Sequence, residues 1–315
     1  CDLFLGFNRS QYRNLFLKKA CSGRHLWQSR IPFLHDKHPV LYPAPGPAPA
    51  SLIIARNIFY GMSGAAPVTL DHDSLAQFFR AYSIDEFAVV SPHSIPAPPG
   101  RRPIDLFPAC RTMILFGKVM GDDLFMGSIP ETAPRNTAFK QELERVSGEL
   151  VSLLRESGSD AVAVSSLVVR DGKLKGSLSL KHCARDAGLG DIGDNGLFLS
   201  PKFGIRLGLG AVLTDLEIPP TPARGDPVQL CTHCGLCIRA CPANAFDGGS
   251  LDSFRCRNIT GAIPAPFASL FERLMGTKSL ESLLTTVANR IASRSTTRCS
   301  SCLMACPFFK KYGEK

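Results

Sequence analysis

Apolar residues recur at helical spacing in two long stretches of the chain and in short unbroken runs between them. Leu75, Phe78, Phe79 and Tyr82 fall on one helical face that Ser74 is placed to cap. Phe139, Leu143, Val146, Leu150, Leu153 and Leu154 make a longer stripe over residues 136–158, which Gly158 stops. Between and after these lie apolar runs at 87–90, 112–117 and 160–164, the second of them suited to the middle of a sheet. A further helix is predicted over 178–187, followed by a glycine-rich turn at 188–196 and a strand at 212–216. Strand, helix and strand in alternation predict an α/β (α+β) domain with a mixed sheet covered by helices.

The two ends of the chain break this pattern. Residues 1–61 carry no sustained period and include a Pro/Ala tract at 43–50 that no helix or inner strand tolerates. The first methionine is Met62, so 1–61 is expected to be a disordered leader or an extension from a wrongly placed start, with a basic arm as the alternative. The α/β domain then runs over 62–227, ending in the proline-bearing linker 218–227, and a separate domain over 228–315.

Charge alters this picture little. Of the formal +9, the segment 1–61 holds eight Lys/Arg against two Asp and so accounts for +6. The rest is an ordinary surface balance that does not by itself argue for phosphate binding. No apolar run of membrane-spanning length and no signal-peptide pattern is present, so a cytoplasmic protein without membrane attachment is expected.

Cysteine changes the picture most. Eight of the twelve cysteines fall between Cys231 and Cys306, unlike the even density of a secreted disulfide scaffold. The segment Cys231-Thr-His-Cys234-Gly-Leu-Cys237-Ile-Arg-Ala-Cys241-Pro242 is C-x2-C-x2-C-x3-C-P. In this bacterial ferredoxin run, three thiolates hold one [4Fe-4S] cube and the fourth ligates another. Cys299-Ser-Ser-Cys302-Leu-Met-Ala-Cys306-Pro307 repeats the ending but lacks the leading cysteine, which Cys256 supplies. The expected ligands are Cys231, Cys234, Cys237 and Cys306 for one cluster and Cys241, Cys256, Cys299 and Cys302 for the other, in a ferredoxin-like two-cluster domain. Structural zinc at the C-x2-C pairs is the alternative, although zinc does not need the crossed C-P endings. Cys110 and Cys183 read as buried thiols, and His233 as a solvated loop residue or a donor to a cluster sulfur.

With these residues in view, the region from about Arg101 to Pro307 resembles the epoxyqueuosine reductase and reductive dehalogenase superfamily. The matching stretches are Ala184-Arg-Asp-Ala-Gly-Leu-Gly190-Asp-Ile-Gly193, Val212-Leu-Thr-Asp215, the cluster runs, and Arg255-Cys256 with Gly261-Ala262-Ile263-Pro264. The resemblance implies an iron–sulfur oxidoreductase whose clusters feed electrons to a corrinoid (cobalamin) or a substrate in the α/β domain. It also implies a redox donor such as flavodoxin or ferredoxin. A carrier or docking protein without catalysis of its own is the alternative. Gly188, Gly190, Gly193 and Asn195 are the candidate corrinoid contacts, although the same turn reads equally as structural or, less well, as a nucleotide loop without Walker lysine spacing.

Departures from the family pattern leave the catalytic residue unassigned. The presumed proton-donor aspartate falls at Leu174, Asp191 and Asp194 stand where the family shows tryptophan and lysine, and outside the leader only Tyr82 and Tyr312 remain as tyrosine acids. Asp171, Asp186, Asp191 and Asp194 are the acids near the turn. tRNA is a further partner by analogy, with Arg290, Arg294 and Arg298 spaced to share a helical face.

Overall fold

The computed structural model describes residues 70–97, 101–164, 168–170, 173–175, 178–222, 229–247, 250–252, 255–257, 274 and 299–310. Helix α1 spans His72–Ala81 and strand β1 spans Glu86–Val90. The cap of α1 is Asp71 rather than Ser74: its Oδ1 accepts the Ser74 N–H at 2.9 Å, so Ser74 lies inside the first turn. The predicted apolar face is buried as a set, Leu75, Phe78, Phe79 and Tyr82 all being under 9% exposed. A one-turn helix α2 (Pro103–Leu106) precedes β2 (Thr112–Val119).

The long helix α3 spans Ile129–Glu156, starting seven residues before the expected 136. Pro130 and Pro134 concealed that start. Pro130 sits in the first turn, where a missing N–H costs nothing, and Ser128 with Glu131 forms a capping box. Ser128 N–H and Oγ both donate to Glu131 Oε2, at 2.7 and 2.8 Å. Beyond α3 come β3 (Ala161–Ala163), a hairpin of β4 (Val168–Arg170) and β5 (Lys173–Lys175), helix α4 (Leu180–Asp186), the small pair β6 (Asp191–Ile192) and β7 (Phe198–Leu199), and β8 (Leu207–Thr214).

The main sheet has the order β1-β2-β8-β3, and every neighbouring pair is antiparallel. This corrects the expected mixed sheet. The β2–α3–β3 passage does return β3 parallel to β2, as the alternation implied. The later strand β8 then inserts between them, pairing Ile114 with Val212 on one side and Ala163 with Val212 on the other. Both faces are covered, which is why β2 reads as a continuous apolar run. Ile114 and Phe116 join α1 and α3 residues in one core, while Met113 and Leu115 join Cys183, Ala184 and Phe198 in the other.

Strand β8 begins five residues earlier than its apolar run suggested, because Gly208 and Gly210 weaken the strand signal. Their role is packing: a Cβ on Gly208 would lie 2.6 Å from the Phe139 ring, and one on Gly210 would run into the Phe116 ring. Gly210→Ala is therefore expected to destabilise the protein by about 1–3 kcal/mol, through overpacking against a buried aromatic. Urea unfolding checks this, with Gly148→Ala, whose Cβ meets nothing within 4 Å, as the neutral or stabilising comparison.

The start of the expected linker is tied to the sheet. Ile218 is buried, and Thr221 exchanges bonds with Val89, its N–H donating to Val89 O and its Oγ1 accepting from Val89 N–H. The C-terminal part contributes helix α5 (Leu236–Arg239), the pair β9 (Phe246–Asp247) and β10 (Ser250–Leu251), α6 (Ser301–Met304) and α7 (Pro307–Lys310). It packs on the α/β part through a third core, in which Phe309 meets Leu124, Phe125, Leu199 and Ile205. No helix among the described residues is long and apolar enough to cross a membrane.

Candidate metal centre

The first cysteine run forms a tight loop leading into α5. His233 and Gly235 both take left-handed backbone angles, φ 53° and 67°, which turn the chain twice within the run. Glycine adopts this conformation freely, whereas His233 is strained there. Cys237 is buried within α5 and Cys234 is exposed, with the Cys234 carbonyl accepting from Arg239 Nη2 at 3.1 Å. Cys306 arrives from the far end of the chain, between α6 and α7, and its carbonyl accepts the Phe309 N–H at 2.9 Å.

Cys231, Cys234, Cys237 and Cys306 line one cavity, together with Gly193, Asp194, Asn195 and Leu199 from the α/β part. Burial pushes the Cys306 thiol up, and the charges of Cys234 and Cys231 add to it. The Cys237 thiol is raised first by burial, then by Cys306 and Asp194. The second set also lies close together. The Cys302 thiol is pushed up to about 11, first by burial and then by the charges of Cys256, Cys299, Cys241 and Cys237. Crowding so many thiols raises their pKa values unless a cation offsets the repulsion, which is what a bound iron–sulfur cluster or metal ion supplies. The donor chemistry thus fits clusters in both sets. Ala245 N–H already donates to Cys241 Sγ at 3.3 Å.

Cys110 and Cys183 lie in the α/β core, buried and pushed up by burial to about 11 and about 12, and so stay protonated.

The glycine-rich turn faces the cysteines. Asp191 Oδ2 accepts the N–H groups of Leu230 and Cys231 at 3.0 and 3.2 Å. Asp194 Oδ1 is 2.8 Å from His233 Nδ1, and Asn195 Nδ2 donates to the Cys302 carbonyl at 3.5 Å. Gly188, with φ 71°, ends α4, and a Cβ on Gly190 would strike the Leu199 carbonyl oxygen. Gly193 and Asn195 are buried against the cysteine cavity. The positions expected to contact a corrinoid thus shape the turn and pack against the cysteine loop.

The other candidate acids divide. Asp186 pairs with Arg185 at 2.8 Å, and Tyr82 is buried beside Arg145 with its phenol pushed up to about 12 by burial and by Glu149. Leu174 lies in β5, paired with Val169. Asp171, Tyr312, Arg290, Arg294, Arg298 and residues 1–61 lie outside the described residues.

Sequence reasoning treated Asp191, Asp194 and Asn195 as turn residues or cofactor contacts, and it passed over Arg206. That side chain is 5% exposed, pairs with Asp122, donates from Nε to the Phe309 carbonyl at 3.2 Å and stacks 3.8 Å from the Phe309 ring centroid. The adjacent Phe308-Phe309 after the last Cys-Pro was the available signal, since an aromatic pair there, of which Phe309 is buried and Phe308 partly so, needs something to pack on.

Comparison with known proteins agrees with the cysteine pattern. Residues 228–247 match the family described as a 4Fe-4S binding domain. An epoxyqueuosine reductase of Synechococcus sp. (strain RCC307) is 45% identical over 78 residues, 24% of this chain and 23% of the relative. That of Pseudomonas aeruginosa is 31% identical over 134 residues, 41% of this chain and 31% of the relative. A tetrachloroethene reductive dehalogenase of Desulfitobacterium hafniense is 46% identical over 64 residues, 20% of this chain and 12% of the relative. The solved epoxyqueuosine reductase from Streptococcus thermophilus aligns with a TM-score of 0.49 at 17% identity, covering 75% of this chain and 65% of that one. These sequence matches each span less than a third of the curated relative's length. Over these stretches the chain is similar in sequence to the epoxyqueuosine reductases and reductive dehalogenases.

Proposed function

We propose that the chain is an iron–sulfur reductase holding two [4Fe-4S] clusters, one on Cys231, Cys234, Cys237 and Cys306 and the other on Cys241, Cys256, Cys299 and Cys302. The observation carrying this reading is the cavity lined by three cysteines of one loop and a fourth from the chain's far end. Bound clusters supply single-electron storage; the protein's part is to hold them and to shield them from water. Cys237 is buried and Cys234 exposed, with Leu236 and Ile238 exposed beside it, so a flavodoxin or ferredoxin donor is proposed to deliver electrons at the Cys234 edge. The α/β domain, packed on the opposite side of the cavity, is proposed to hold the substrate.

Anaerobic purification followed by iron and acid-labile sulfide analysis is expected to find about eight of each per chain, the content of two cubic clusters. Zinc, or iron sufficient for one cluster only, refutes the reading. Reductive turnover of a substrate separates the enzyme from a carrier that exchanges electrons with partners alone.

A further inference from the structure

The glycine-rich turn presents two carboxylates to the loop of the first cysteine run, and they do different things. Asp191 Oδ2 takes the N–H groups of both Leu230 and Cys231. An N–H donated to a cluster sulfur favours the reduced, more negative cluster, so drawing two of them toward a carboxylate withholds that stabilisation. Backbone N–H groups do reach sulfur in both sets, that of Ala245 at Cys241 Sγ and those of Phe308 and Phe309 at the Cys306 thiol.

Asp194 adds charge. Its carboxylate oxygen, Cys231 Sγ and a His233 ring nitrogen all lie within 4.8 Å of one another. His233 Nδ1 lies 2.8 Å from Asp194 Oδ1, and its Nε2 lies 3.1 Å from Gln229 Nε2. Among the described residues no Lys or Arg pairs with Asp194. Arg239, a cation of the same loop, is exposed and bonded to the Cys234 carbonyl, where water screens it.

We propose that Asp191 and Asp194 lower the reduction potential of the cluster on Cys231, Cys234, Cys237 and Cys306, Asp191 by holding the Leu230 and Cys231 N–H groups and Asp194 by the carboxylate it places beside Cys231. The inference rests on the two-cluster reading above and deepens it: the α/β domain supplies carboxylates that tune the cluster lying against it. No atom is transferred in this step; the first cluster takes up one electron from the external donor and gives one up to its acceptor.

The test is an EPR-monitored redox titration of the full-length, cluster-loaded protein. Asp194→Asn keeps the shape and removes the charge. It is expected to favour reduction of the first cluster about tenfold, a rise of about 59 mV for a one-electron couple. Asp191→Asn is expected to move the same midpoint in the same direction, Asp194→Glu to restore it, and the second cluster's midpoint to shift less. Full iron with unmoved midpoints in both Asn variants overturns the proposal. So does loss of iron from both, which makes the carboxylates structural. A parent protein without clusters gives no midpoint at all and sinks the underlying reading instead.

Discussion

Cys256→Ala is expected to bring iron from about eight per chain toward four or below, the largest chemical effect of any single substitution outside the two cysteine runs. Cys256 is far in sequence from Cys241, Cys299 and Cys302, yet its charge is felt at the Cys302 thiol, as are those of Cys299 and Cys241. Its backbone is fixed locally, the N–H donating to Asp252 O at 3.1 Å, so the alanine variant keeps the chain path and loses only the thiolate. A cube short of one protein ligand converts to a smaller cluster or is lost. Cluster binding is coupled to folding of the segments that supply the ligands, so the damage should extend to the C-terminal part as a whole. Cys110→Ala and Cys183→Ala supply the contrast, since both thiols lie in the α/β core and should leave iron unchanged. Full iron and an unaltered reduced EPR spectrum in Cys256→Ala would mean that another residue is the eighth ligand.

What the sequence made legible follows from how local each signal is. The apolar faces of α1 and α3 and the run of β2 depend on spacing alone, and the structure buries those same residues. The C-x2-C-x2-C-x3-C-P run is equally local, and its match to the 4Fe-4S binding domain covers residues 228–247. Sheet order was not legible, because nothing near β2 or β3 announces that β8 will insert between them, and β8 hides half its length behind glycines whose place is set by Phe116 and Phe139. The acids at 191 and 194 were read by their own turn, where they look like ordinary turn residues. Their partners, Leu230, Cys231 and His233, are about forty positions away, and only the fold brings them together.

Arg206→Met is expected to cost about 2–4 kcal/mol of stability and to loosen the end of the chain that carries Cys306. The sum comes from a charged hydrogen bond to a carbonyl, about 1.5–3 kcal/mol, and a desolvated cation–π contact worth up to about 2. The ion pair with Asp122 adds little, because the carboxylate is 47% exposed while the guanidinium is 5% exposed. Asp122→Asn is accordingly expected to cost well under half as much. Arg206 bonds to the carbonyl of Phe309 and lies on its ring, so it fixes α7 immediately after the cysteine that completes the first cavity. Arg206→Lys keeps the charge but not the planar stack, and should fall between the parent and Arg206→Met. Denaturant unfolding of the cluster-loaded protein gives the stabilities, and the rate of iron release to a chelator reads the hold on Cys306. The clamp is refuted if Arg206→Met releases iron no faster than the parent, or if Asp122→Asn proves the more damaging of the two.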